Sequence, residues 1–233
     1  MTGVDGNVGD RVEIDVASLK PMGTYPWLTA TVIPRPIAWV STRSTGGPGG
    51  PGGSDGSDGS DGIDNLAPHS FFTVASAEPP VISFTSVGSK DTLRNIRQTG
   101  EFVVCLTPRA WAAPVNLTGT NFPAEASEFD AAGLTREPSV AVTPFRVAQS
   151  PVALECRFAG ERSFGRSTVV FGAVVHLAVA RVTLAPDGYP DPRLLDPASR
   201  LGRDEWAALG EVFRLRRVPF AEWSAQEAPE ESR

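Results

Sequence analysis

A chain of 233 residues that is 41% hydrophobic can bury one sizeable core, and a single domain is the expectation. Its net charge of −6, from 27 acidic against 21 basic residues, gives no electrostatic basis for binding nucleic acid or an anionic membrane, although a local phosphate site stays open. Two histidines far apart in sequence exclude a histidine-rich metal centre. No apolar run is long enough for a bilayer, and MTGVDGNVGD lacks the segments of a secretory signal, so a soluble, cytoplasmic chain is expected.

In chain order, residues 1–10 read as a frayed tail and 11–33 as an arm and first strand. Pro34 and Pro36 favour extended backbone, and IAWVST after them reads as a strand. Residues 45–62, TGGPGGPGGSDGSDGSDG, offer no core side chains and read as a flexible, removable loop. Strand-like runs follow at 69–75 and 80–85, separated by SAEPP. Ser89 or Asp91 can cap a short helix carrying Leu93 and Ile96, which Gly100 ends before the strand EFVVCL. The stretch 109–134 reads as partly helical, broken at Pro114 and Pro123 and anchored by Trp111, Val115, Leu117, Phe122 and Phe129. Further strands are predicted around 145–149, at 152–158 and at 167–182, the last with a bend or bulge at Gly172. DEWAALG reads as a short helix and EAPEESR as a disordered end. Cys105 and Cys156 sit in apolar strand-like runs without a CxxC pair and read as buried thiols. Six or more strands with few and short helices cannot supply the crossovers of a parallel sheet. A mostly antiparallel barrel fits better.

Three stretches carry candidate chemistry. In SFTSVGSKDTLRN the hydroxyls of Ser83, Thr85, Ser86, Ser89 and Thr92, with Lys90 at a helix N-terminus, form the donor set of an anion site; a capped surface helix with a solvated lysine is the plainer reading. In PRPIAWVSTR, Trp39 can stack on a planar ligand while Ser41, Thr42 and Arg43 add donors, and Trp39 fits core packing equally well. In NLAPHSFF, Asn65 offers an acceptor and a donor to a heterocycle edge and Ser70 a hydroxyl, whereas a lone His69 is set aside as inert.

Taken together, RPIAWVSTR, NLAPHSFF, SKDTLRNI, TGEFVV, NLTG, EFDAAGLT and SPVALECRF resemble, in order and spacing, the flavin reductase-like, FMN-binding split-barrel family, including flavoredoxin-like proteins and reductase components of two-component monooxygenases. The resemblance spans 20–215, leaving 1–19 as a flexible arm, 45–62 as a disordered loop and 216–233 as a tail. It implies a mainly β, Greek-key split barrel with a few decorating helices, dimerising with FMN near the interface. Carried over by position, Ser41, Thr42, Arg43 and the stretch Ser89, Lys90, Asp91, Thr92, with Ser86 before it, would serve the phosphate and ribityl chain; Trp39, Asn65, Ser70 and Phe71 would lie near the ring. His176, in GAVVHLAV, matches a histidine often found near the flavin, though by itself it reads as a satisfied barrel histidine. Two features depart from the family pattern: the glycine-rich tract replaces a short turn, and Trp206 stands where a tyrosine is common.

If FMN binds, it carries the redox chemistry and no protein nucleophile or base is required. The resemblance implies hydride transfer from NADH or NADPH, with electrons passed to free flavin, a partner oxygenase or another acceptor. No GxGxxG opens a βαβ unit, so a dinucleotide-binding fold is not indicated, and Arg43, Arg94 and Arg97 do not decide between the two nucleotides. A carrier or enzyme with tightly bound FMN but no such reductase activity, and a non-catalytic binding barrel, are the alternative readings.

Overall fold

The computed structural model describes residues 9–45 and 62–227. Strands β1 (Arg35–Pro36), β2 (Ala38–Arg43), β3 (Asp64–His69), β4 (Phe72–Ser76) and β5 (Val81–Val87) follow helix α1 (Tyr25–Thr31). After them come α2 (Asp91–Thr99), β6 (Glu101–Cys105), α3 (Ala112–Leu117), α4 (Glu128–Ala131), β7 (Arg136–Glu137), β8 (Arg146–Val147), and the long hairpin β9 (Val152–Phe164) and β10 (Ser167–Val179). Helix α5 (Pro192–Leu195), strands β11 (Ser199–Arg200) and β12 (Trp206–Ala207), and α6 (Phe220–Glu227) complete the described chain.

Seven antiparallel strands form the main sheet in the order β3-β2-β6-β9-β10-β5-β4. Among β5, β6, β9 and β10 the last strand returns beside the first, which is the Greek-key arrangement. The edge strands β3 and β4 are consecutive in the chain, so the sheet curls on itself at their junction. Thr85 N donates to Phe71 O at 2.9 Å, and His69 Nδ1 lies 3.2 Å from Thr85 O, closing the barrel where it would otherwise expose two edges.

Two apolar clusters flank the central strands. Val40, Phe84, Phe102, Val104, Cys156 and Val170 pack with Leu93 and Ile96 of α2, while Trp39, Leu66, Val103, Cys105 and Ala153 pack on the other face with Val115 of α3 and Phe129 of α4. Both faces of β2 and β6 are therefore covered, which explains why their sequences do not alternate polar with apolar. Gly100 ends α2 as expected, left-handed at φ 71° with its N–H closing the helix on Ile96 O, but neither Ser89 nor Asp91 caps the other end, where Lys90 is the N-cap and makes no side-chain capping bond. At Gly172 the register shifts, with Ala159 extra on β9. A Cβ on Gly172 would lie 2.3 Å from Phe102 Cζ, so only glycine fits there.

Four other local expectations are corrected. Residues 11–33 hold a 3₁₀ turn at Val16–Ser18 and α1 instead of a strand; Pro26 suits the first helical turn, and Thr29 and Thr31 donate their hydroxyls back to Tyr25 O and Trp27 O at 2.9 and 2.8 Å. Pro114 does not break a helix but sits in the first turn of α3, where no intrahelical N–H bond is lost. DEWAALG is not helical: Trp206 pairs with Arg200 in a short hairpin and lies under its guanidinium at 5.0 Å. The strand foreseen at 69–75 is split, β3 ending at His69 and β4 starting at Phe72. The glycine-rich tract at 46–61 lies outside the described residues, as do 1–8 and 228–233.

Both cysteines are buried free thiols, and burial pushes each up to about 12. A disulfide reagent at pH 8 is therefore expected to leave the native protein unmodified and to label two thiols once guanidinium unfolds it. Rapid labelling of the native chain would contradict this.

Candidate functional site

A cavity of about 440 Å³ opens where the barrel closes. Its first wall is the passage from β5 into α2. Gly88, at φ 77°, turns the chain and donates its N–H to Arg166 O at 2.8 Å, aiming Ser89 and Lys90 at the cavity. Lys90 is the N-cap of α2 in extended conformation, and no side chain among the described residues caps the helix, so the first backbone N–H groups of α2 are open to a ligand. Asp91 in the first turn is paired with Arg94, which offsets its repulsion of an anion.

The opposite wall is the loop Thr118–Phe122 after α3. Thr118 Oγ1 accepts the Trp39 indole N–H at 2.9 Å and donates to Val115 O at 2.8 Å, which ties this loop to the barrel. Gly119 passes so close to β3 that a Cβ would lie 3.4 Å from Pro68 Cγ. Lys90 Nζ donates to Asn121 Oδ1 at 2.5 Å and bridges the two walls.

Strand β3 forms the floor. Asn65 donates both amide hydrogens inward, to Thr42 Oγ1 at 3.3 Å and Thr92 Oγ1 at 3.0 Å. Its Oδ1 has no partner among the described residues and is not sealed from the cavity. Glu128 accepts the Leu66 N–H at 2.9 Å and so fixes α4 under the floor; burial, helped by the charge of Asp91, holds its carboxyl above the ordinary range. His69 packs on Phe84 at 4.8 Å, with Nε2 enclosed and without a partner among the described residues. Because a carbonyl only accepts, Nδ1 carries the hydrogen toward Thr85 O. Burial, with the charge of Lys90 adding to it, pushes the imidazole down to about 4 against the pull of that carbonyl.

Ser70, Phe71 and Tyr25 form the lip. A second, apolar cavity of about 420 Å³ shares Ser70 and Phe71 and is lined by Leu28, Val32 and Phe72. Arg35 underlies this side: its guanidinium holds the carbonyls of Thr29, Val32 and Leu201 and lies 5.8 Å from the Phe71 ring.

Of the candidate residues singled out in the sequence, Asn65, Ser70, Phe71, Thr85, Ser89, Lys90, Asp91 and Thr92 converge on the first cavity. Seven do not line it. Trp39 is fully buried in the core, Ser41, Thr42 and Ser86 are fully buried hydroxyls, and Ser83 is buried as well. Arg43 faces Asp64 at 3.8 Å, and His176 lies on β10 opposite Glu155. Arg94 and Arg97 are likewise engaged, with Asp91 and Glu161. Sequence reasoning missed Tyr25, the loop Thr118–Phe122 and Glu128 as cavity lining, and His69, set aside as inert, also lines it. The loop's TGTN string carries the hydroxyl signal that marked Ser89–Thr92 and the amide signal that marked Asn65.

The family model described as the flavin reductase like domain matches residues 30–191. An uncharacterized protein of Deinococcus radiodurans is 38% identical over 224 residues, 93% of this chain and 94% of the relative. Among solved structures, nitrilotriacetate monooxygenase component B from Bacillus cereus aligns with a TM-score of 0.77 at 29% identity, over 88% of this chain and 99% of that one. The 2-nitrobenzoate 2-nitroreductase of Pseudomonas fluorescens aligns with a TM-score of 0.77 at 27% identity, over 90% and 98%.

Proposed function

Because this chain belongs to the flavin reductase like family, we propose that it is an FMN-dependent oxidoreductase that takes hydride from NADH or NADPH and passes electrons to free flavin, a partner oxygenase or another acceptor. The observation that carries the reading is the grading of the cavity from a cationic end at Lys90 and the α2 N-terminus, past hydroxyls and amides, to the aromatic lip at Phe71. A phosphorylated polyol joined to a planar ring has the same grading, and about 440 Å³ falls within the range of small-molecule sites.

In this reading Lys90, Ser89 and the N–H groups of α2 hold the phosphate, Thr92 and the Thr118–Asn121 loop face the ribityl chain, and Asn65, Ser70 and Phe71 lie toward the ring. Bound FMN supplies two-electron acceptance at N5 and electron release to a second substrate. The protein orients the ring, keeps water from one side of it and presents a neutral, not cationic, His69 next to the cavity. We assign the molecule to the cytoplasm; no helix among the described residues is long and apolar enough to cross a membrane.

We also propose a homodimer. Tyr25, Trp27, Leu28, Val32 and Ile33 beside the lip are 47–61% exposed, an apolar patch that a second copy would cover. The similarity to a monooxygenase component supports an oxygenase as acceptor, and that to a nitroreductase supports a nitroaromatic.

Oxidation of NADH and NADPH is to be followed at 340 nm with FMN present and with free FMN, FAD or 2-nitrobenzoate as acceptor. At least one pair is expected to turn over, and absence of oxidation with every pair would reject the reductase reading. Lys90→Ala is expected to raise the Kd for FMN about tenfold through loss of a charge-assisted contact, while leaving riboflavin binding unchanged. Equal weakening for both ligands would remove Lys90 from the phosphate site.

A further inference from the structure

Strand β2 places no residue on the cavity wall, yet one of its hydroxyls governs what the cavity offers. Thr42 is fully buried, and its Oγ1 accepts amide hydrogens from both Asn65, at 3.3 Å, and Asn95, at 3.2 Å. Those two amides occupy both lone pairs of the hydroxyl oxygen, which is thereby held as an acceptor. Asn65 spends its second amide hydrogen on Thr92 Oγ1 at 3.0 Å. Both its donors are turned inward, so the atom left toward the cavity is Oδ1. Asn65 is only 7% exposed and Asn95 1%, so neither amide can exchange these partners for bulk water without opening the structure.

We propose that Thr42 is a positioning residue: it orients Asn65 so that a ligand meets a carbonyl acceptor there, which favours a ligand group that donates, a ring N–H or a hydroxyl, over one that only accepts. The inference rests on reading the cavity as the flavin site. It replaces direct contact of Thr42 with the phosphate by action through Asn65. Loss of the hydroxyl leaves two buried amides competing for too few acceptors, and the Asn65 side chain can then turn a donor to the cavity.

The test uses the full chain with Thr42→Val, which removes the hydroxyl at similar size, and Thr42→Ser, which keeps it. In ligand-free protein, the Asn65 side-chain amide resonances are expected to be protected from solvent exchange in the wild type and in Thr42→Ser, and to shift and lose protection in Thr42→Val. The Kd for FMN is expected to rise about tenfold in Thr42→Val and to stay within about twofold of wild type in Thr42→Ser. Thermal unfolding of each variant separates folding from positioning. A merely structural Thr42 predicts a lower Tm for Thr42→Val with an unmoved Asn65 amide and unchanged Kd, and that result would overturn the proposal. If the wild type binds no FMN, the functional reading fails, while the amide resonances still decide whether Thr42 orients Asn65.

Discussion

Arg146→Ala is expected to destabilise the protein by about 3–5 kcal/mol, the largest effect of any single substitution considered, because it leaves a buried carboxylate without its counter-charge. Glu155 on β9 is 0% exposed. It accepts Arg146 Nε at 2.8 Å and Nη2 at 2.5 Å, together with the backbone N–H groups of Val140, at 3.0 Å, and Ala141, at 2.6 Å. Burial drives its carboxyl upward, but the two backbone donors and the guanidinium together hold it below the ordinary carboxylate range. The same carboxylate thus pins the loop between β7 and β8 to the barrel. Replacing both partners by leucine is expected to recover only part of the loss, since the N–H groups of Val140 and Ala141 then lack an acceptor. Guanidinium unfolding of the three proteins measures this. A cost below about 1 kcal/mol for Arg146→Ala would show that the pair is solvated in solution.

The second large effect is a loss of stability in mild acid, traced to His69. In the folded chain its imidazole protonates only near pH 4, against 6.5 for the ordinary group. Between these values the unfolded chain binds more protons, so stability falls as pH drops from about 6.5 to 4, by about 3 kcal/mol in all. His69→Phe keeps the packing on Phe84 and removes an unpartnered ring nitrogen, and it is expected to flatten the curve in this window. Glu155, Asp130 and Glu161, held below the ordinary range, lose their charges at lower pH and shape the curve there in both proteins. Glu128, held above it, works in the opposite sense in both, so the difference between the two curves isolates His69. Urea unfolding from pH 7.5 to 4.5 is the measurement. Parallel curves for the two proteins would refute the assignment.

What could be read in the sequence follows from how local each signal was. The helix α2 was legible because its buried Leu93 and Ile96 and its terminating Gly100 lie within one short stretch, whereas the expected cap by Ser89 or Asp91 did not form. The apolar runs of β6, β9 and β10 marked barrel strands for the same reason. Helix α1 was hidden, since only Thr29 of its seven residues is buried and no amphipathic stripe distinguishes it from an arm. The residues EWAAL have helical propensity, yet Trp206 gains more by pairing with β11 beneath Arg200.

The site divided along the same line. Ser89–Thr92 were found because a helix N-terminus and its hydroxyls are contiguous in sequence. Ser41, Thr42 and Trp39 were assigned to the ligand because hydroxyls and an indole on a strand resemble donors and a stacking surface. Only the covering of both faces of β2 by α2 and α3 puts these three residues behind the cavity wall, with Trp39 bonded to Thr118 and Thr42 to Asn65. The Thr118–Phe122 loop is brought to Lys90 by tertiary contact alone, and no spacing rule reports such a juxtaposition.

The proposal that the cavity between α2 and the Thr118–Phe122 loop holds FMN for electron transfer from a nicotinamide nucleotide is tested by the visible absorbance spectrum of purified protein incubated with FMN and desalted, followed by anaerobic additions of NADH and NADPH in the same cuvette. Flavin bands that survive desalting in the wild type, weaken in Lys90→Ala and bleach with one of the two nucleotides are the expected result. A protein that retains no flavin and oxidises neither nucleotide with FMN in excess would contradict the account.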